Sequence, residues 1–246
     1  MLGCVALPVV LLFLIAFVMS CWWKSKWHKR MFGCGLGTLL LLAAYLIFQA
    51  PKTRCNPDIM AKHYEKHKTE MEEFCGYMQS VLPDSTDITL EFKWDRPIMF
   101  HVTNANGSVF SWDEESRMKR DSLMVMAGLT KDEYDGIRQR LKSMGCIGVE
   151  ASRISPDTTK DLCKSSYSTP TTETTTIWFR RITMGMYSFI LSARPFTDEE
   201  KEEALSDPMI IPYNDHVLFL YGGGAIGMQD FPKDVKDKYL EKHKPW

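Results

Sequence analysis

Ile98-Met-Phe-His-Val-Thr-Asn-Ala-Asn-Gly107-Ser-Val-Phe-Ser-Trp112 reads as two β-branched and aromatic runs, Ile98–Thr103 and Ser108–Trp112, joined by Asn104-Ala-Asn-Gly107. Asn-Gly between such runs is the strongest short-range signal for a β-hairpin. A third run, Ile88–Trp94, precedes it, so three neighbouring antiparallel strands are expected. Further on, Thr176–Met184 and Met186–Arg194 alternate in the same way. Cys146–Ile154 and His216–Tyr221 add shorter strands, which gives at least five, an ordinary sheet size.

Helix starts are marked by Ser/Thr-x-x-Glu boxes, in which the hydroxyl and the carboxylate satisfy first-turn N–H groups reciprocally. Three occur: Ser111…Glu114, Thr130…Glu133 and Thr197…Glu200. The second opens a helix with Tyr134, Ile137, Leu141 and Met144 at helical spacing, ended by Gly145 at the left-handed position that glycine fills at no steric cost. Pro232 to His243 is expected to form a last amphipathic helix. Strands and helices are grouped and do not strictly alternate, which predicts an α+β domain over 84–246 with a mainly antiparallel sheet and flanking helices. Residues 155–175, rich in Ser, Thr, Pro and Asp, read as a long loop.

Toward the N-terminus, Asn56 to Leu82 reads as a long helix with Pro57 in its first turn and Pro83 at its end. Ile59, Tyr64, Met71, Phe74, Met78 and Leu82 form a partial apolar stripe that can rest on the domain or on another copy. Its polar remainder suggests a membrane-proximal stalk over 51–83. Before it, residues 1–23 and 31–50 contain no Asp, Glu, Lys or Arg. Each reaches the roughly 20 residues that cross about 30 Å of hydrocarbon as a helix, so 1–50 is expected to be a two-helix transmembrane hairpin. The first run lacks the charged segment that opens a secretory signal and reads as an uncleaved anchor. Gly33 and Gly37 allow close helix approach.

The loop 24–30 holds Lys24, Lys26, Lys29 and Arg30, and short loops rich in cations stay cytoplasmic. Trp22, Trp23 and Trp27 suit the headgroup zone. Everything from Pro51 onward is therefore expected outside the cytoplasm, as an integral membrane protein with two spans. Removing those four cations from the chain total of 30 Lys+Arg against 31 Asp+Glu leaves the rest of the chain five charges negative. That argues against a nucleic-acid partner. The expected partners are the lipid bilayer itself and a protein met through the spans or the stalk.

Gly222-Gly-Gly224-Ala-Ile-Gly227, after a predicted strand, matches the dinucleotide fingerprint in form. The fingerprint belongs at the start of a βαβ unit with an acidic residue about 20 positions on, and Asp230-Phe-Pro232 stops a helix from opening off these glycines. A turn or bulge between two short strands is the expected role. Its functional version is a cradle of backbone N–H groups for an anion, with Tyr221, Gly222, Gly223, Gly224 and Gly227 as candidate ligand-binding residues. His63, His67 and Glu70 fall on one helix face at metal-ligand spacing, but Tyr64 stands where a metalloprotease needs Glu. A solvated face is expected, with no metal and no cofactor. His101 and His216 lie in predicted strands. Arg180 and Arg181 must point to opposite faces of theirs.

Cys55 and Cys75 are separated by roughly 30 Å of predicted helix, beyond disulfide reach. Cys146 with Cys163 is the pairing expected if a disulfide forms in the exposed part. No G-x-S-x-G, P-loop, C-x-x-C or H-E-x-x-H is present. The expected function is non-enzymatic: binding, sensing or envelope assembly by a membrane-anchored extracytoplasmic domain. The alternatives are a membrane-tethered hydrolase of unfamiliar type built on the glycines, the 155–175 loop and a histidine, or an accessory subunit of a membrane complex.

Overall fold

Alternation of apolar and polar residues in successive runs produces, among the described residues, one eight-stranded sheet. A computed structural model describes residues 56–93, 96–112, 117–153, 174–182, 185–222 and 230–243. The expected spans, most of the 155–175 loop, Cys163, Gly223, Gly224 and Gly227 lie outside the described residues. Among the described residues no helix is long and apolar enough to cross a membrane.

The elements run α1 (Pro57–Val81), β1 (Asp87–Lys93), β2 (Arg96–Asn104), β3 (Gly107–Trp112), α2 (Arg117–Met126), α3 (Lys131–Ser143), β4 (Gly148–Ser152), β5 (Thr174–Ile182), β6 (Gly185–Ser192), α4 (Asp198–Ser206), β7 (Ile210–Asn214), β8 (Val217–Gly222) and α5 (Lys233–His243). The sheet order is β3-β2-β1-β4-β5-β6-β8-β7, and every pairing is antiparallel. Flanked by helices, it is the α+β arrangement expected. The β2–β3 turn is Ala105-Asn106, with the positive φ (+132°) on Gly107. The Asn104 carboxamide oxygen accepts the Asn106 N–H at 2.8 Å.

One sheet face is mainly apolar, with Thr175 buried on it as a polar exception. Ile88, Leu90, Val102, Phe100, Val149, Ile177, Phe189 and Phe219 stand in paired register and are buried. Helix α1 lies against β5 and β6. Asn56 caps it by accepting the Ile59 N–H at 2.9 Å, and Pro57 occupies its first position. Met60, Tyr64, Met71, Phe74, Met78 and Leu82 are buried, whereas Ile59 is exposed. The stripe therefore rests on the domain's own sheet, and α1 belongs to the same compact unit, Asn56–Trp246. Tyr134 of α3 packs on Phe92 and Phe100, and Tyr239 of α5 on Phe219.

The other face is divided. At the β6–β8–β7 end, Ile190, Leu218 and Ile210 form a small core with Phe196 and Ala204 of the α4 region. Over β1, β4 and β5 the same face carries Asp87, Thr89, Glu91, Glu150, Ser152, Thr174 and Thr176, placed by register.

Two local expectations are corrected. Ser111 does not cap a helix: it is paired with Phe100 in β3, and α2 begins at Arg117. The ladder to β2 takes the extended backbone that the cap required. His216 lies in the turn between β7 and β8 and not within a strand. The edge strand β7 carries no clear strand signal because Pro212 interrupts it, and edge positions are where a strand tolerates proline. The boxes at Thr130 and Thr197 form as expected.

Helix α5 is tied to α4 by a buried lysine. The Lys236 ammonium donates to the carbonyls of Leu205 (2.8 Å), Asp207 (2.6 Å) and Ala204 (3.4 Å) at the negative end of α4. Lys236→Met keeps the aliphatic stem but leaves those carbonyls without their charged donor. A loss of about 2 kcal/mol is expected, read as a lower urea midpoint with an unchanged slope.

Candidate functional site

Three irregularities of the backbone converge beside α1. The first is in α1 itself, where His67 leaves helical geometry (φ −117°, ψ 18°). The second is the end of α3. Gly145 takes φ +67°, its N–H bonds to the Lys142 carbonyl at 3.1 Å, and the Cys146 N–H reaches back to the Leu141 carbonyl at 2.9 Å. This is the Schellman pattern, in which the residue after the glycine turns its side chain in toward the helix it has just left. Cys146 is that residue, and it is buried.

The third is a bulge in β5. Trp178 pairs with Ser188 but Arg180 pairs with Tyr187, so Phe179 is the extra residue. Its ring lies against His63 at 4.1 Å between centroids. The bulge also decides which arginine faces which way. Arg181 reaches the polar face, where its Nε and Nη2 donate to the two carboxylate oxygens of buried Glu91 at 3.1 and 2.8 Å. Arg180 is left on the α1 side, over the Phe179 ring at 4.6 Å.

His63 and Cys146 meet at this junction, with Nε2 and Sγ 3.9 Å apart. Burial, followed by the neighbouring His67 and by the Arg180 and Lys66 cations, pushes the His63 imidazole down to about 4 against the opposing pull of a hydrogen bond with the Met144 backbone. Burial pushes the Cys146 thiol up to about 12. Both groups are therefore neutral at physiological pH. His67 packs its ring 4.8 Å from that of His63 but commits its Nδ1 to Glu70, so His63, His67 and Glu70 do not converge as one ligand set. Among the described residues no three of His, Cys, Asp and Glu converge as a metal centre.

A second polar constellation lies on the divided face. Glu150 is pushed up to about 7 by burial and by Asp87. Asp87 is itself raised by burial, against the pull of His101 and a hydrogen bond with Ser152. His101 Nε2 is 2.7 Å from the Ser108 hydroxyl and 3.3 Å from that of Thr103.

Tyr221 of β8 is buried and stacks on Tyr187 at 4.1 Å, and Gly222 closes the strand. The next described element is the helix α5, not a second strand. Gly223, Gly224 and Gly227, and the Cys163 partner expected for Cys146, lie outside the described residues.

The sequence had pointed to His63 as a solvated helix residue. Its true neighbour is 83 positions away, and no local pattern joins them. The one usable signal was Gly145, which fixes the Schellman turn and hence the inward aim of Cys146. Comparison with known protein families, with curated proteins and with solved structures gives no match.

Proposed function

We propose that this chain is a membrane-anchored module that binds or senses on the extracytoplasmic side and does not turn over a substrate at its Cys146–His63 junction. The observation that carries the reading is the state of that pair. A catalytic thiol works as a thiolate beside a protonated imidazole. Here the thiol is raised, the imidazole lowered, and the donor atoms stand 3.9 Å apart. Such a pair suits holding a ligand by lone pairs better than attacking one. The anchor rests on the two uncharged runs and the cationic loop between them.

Alkylation of the full chain tests the junction. With the thiol at about 12, Cys146 is expected to react with iodoacetamide at pH 7 on the order of a thousandfold more slowly than a free thiol of pKa about 8.5. Fast alkylation with a midpoint below pH 7 would replace binding by thiol catalysis. For placement, an impermeant amine reagent on sealed cells is expected to label lysines beyond residue 51 and to spare Lys24, Lys26 and Lys29. The reverse pattern removes the extracytoplasmic assignment.

One contact favours a second reading, a tethered hydrolase: the Ser108 hydroxyl within 2.7 Å of His101. Asp87, the carboxylate whose charge acts on that imidazole, hydrogen-bonds Ser152 instead, and burial raises it above its ordinary range. A carboxylate engaged by another hydroxyl does not hold the imidazole as a triad acid would. Covalent labelling of Ser108 by a fluorophosphonate would nevertheless establish this reading over binding.

A further inference from the structure

We propose that Cys146 Sγ and His63 Nε2 together hold one soft monovalent metal ion, copper(I), at the junction of α1, β5 and the α3–β4 turn. The inference rests on the binding reading and names its ligand class.

The separation of the two donors is the first argument. With metal–thiolate and metal–imidazole bonds of about 2.3 and 2.0 Å, the donor atoms lie about 3.5 Å apart at a tetrahedral angle and about 4.3 Å apart in line. The observed 3.9 Å falls between them, at the open angle of a low-coordinate ion. Both atoms are fixed independently of any ligand. Cys146 is placed by the Schellman turn, and the His63 ring is packed between Phe179 at 4.1 Å and His67 at 4.8 Å.

Charge is the second. A thiolate with a monovalent ion and a neutral imidazole is uncharged overall, so the unit escapes the desolvation that opposes a bare thiolate in this apolar setting. A divalent ion would leave a net positive charge near Arg180 and Lys66, with no carboxylate released to meet it because Glu70 is engaged by His67. Sulfur and imidazole donors with an aromatic shell also suit a soft ion, and Phe189 completes that shell at 6.0 Å from the His63 ring. On binding, the Cys146 S–H bond breaks and its proton leaves to solvent. The sulfur–metal bond forms, the Nε2 lone pair supplies the second bond, and copper remains in the +1 state.

The test uses the full chain in detergent, with copper(I) supplied in competition with a colorimetric copper(I) chelator. One tightly held equivalent is expected, whose X-ray absorption shows one sulfur and one imidazole nitrogen. Cys146→Ser and His63→Leu are each expected to weaken binding by on the order of 100-fold or more, beyond the 10–100-fold typical of outer-shell partners, while Cys75→Ser leaves it unchanged. All-sulfur coordination, no bound equivalent, or unaltered affinity in His63→Leu would overturn the proposal. The absorption spectrum comes from the unaltered chain, so a variant that misfolds cannot hide the answer. Slow alkylation with no copper bound removes this inference alone, whereas fast alkylation removes the binding reading beneath it.

Discussion

A fragment that begins at residue 84 is expected to be unfolded or insoluble, and one that begins at residue 56 to fold. The difference is α1. Its polar sequence suggests a spacer between bilayer and domain, yet Met60, Met71, Phe74 and Met78 have no exposed surface, and Tyr64 and Leu82 are almost as deeply buried. At roughly 1.5–3 kcal/mol for each large apolar side chain buried, the stripe contributes about as much as the 5–15 kcal/mol net stability of an ordinary domain. Removing it also uncovers Ile177, Phe189 and their neighbours in the middle of the sheet, a patch of the kind that drives association. The loss is not confined to packing: the Thr175 hydroxyl would lose the Cys75 thiol at 3.4 Å, and Arg153 the α1 end carbonyls of Gln79 and Leu82 at 3.1 and 2.9 Å. Near-UV circular dichroism and amide chemical-shift dispersion of the two fragments decide the matter. Native-like dispersion in the shorter one would mean that α1 is dispensable.

What could be read from the sequence, and what could not, divides by the range of the interaction responsible. Asn104-Ala-Asn-Gly107, Thr130 with Glu133, and Gly145 act within a few residues, and each produced the feature expected of it. The edge strand β7 was hidden because Pro212 is an exception that only its edge position permits. The Phe179 bulge has no signature in β5, whose apolar positions continue in step. It follows from pairing with β6, and it alone settles that Arg181 and not Arg180 meets Glu91. The candidate site was least legible of all. His63 belongs to a charged helix, Cys146 to a turn, and their meeting depends on α1 lying across the sheet. The polar face was equally concealed, since Thr89, Glu91 and Glu150 alternate with core residues just as solvated strand positions would.

That polar face has a consequence for stability that pH can expose. Glu150 titrates near 7 in the fold, raised by burial and by Asp87, against about 4.3 in an unfolded chain. The folded state therefore keeps a proton that the unfolded state releases. Its stabilising effect is complete below about pH 4 and is lost as pH rises through 7, a total of about 3 kcal/mol for this one group. Asp87, raised as well, acts in the same direction. Glu200 acts in the opposite one: its bidentate pairing with Arg194 holds it down to about 2, so its contribution disappears only as pH falls below the ordinary carboxylate range and is constant between pH 5 and 8. Over that window His63, lowered to about 4 by burial, acts oppositely, its contribution growing as pH rises through the ordinary imidazole range; it is common to parent and variant, so their difference isolates Glu150. Glu150→Gln keeps the shape and removes the charge. The variant is expected to be more stable than the parent at pH 8 by up to about 3 kcal/mol, and the two are expected to converge near pH 5. Denaturation midpoints at the two pH values measure this directly. Parallel pH curves, or a variant less stable at pH 8, would mean that the Glu150 carboxylate is solvated or paired with a cation and that the polar face is open to water.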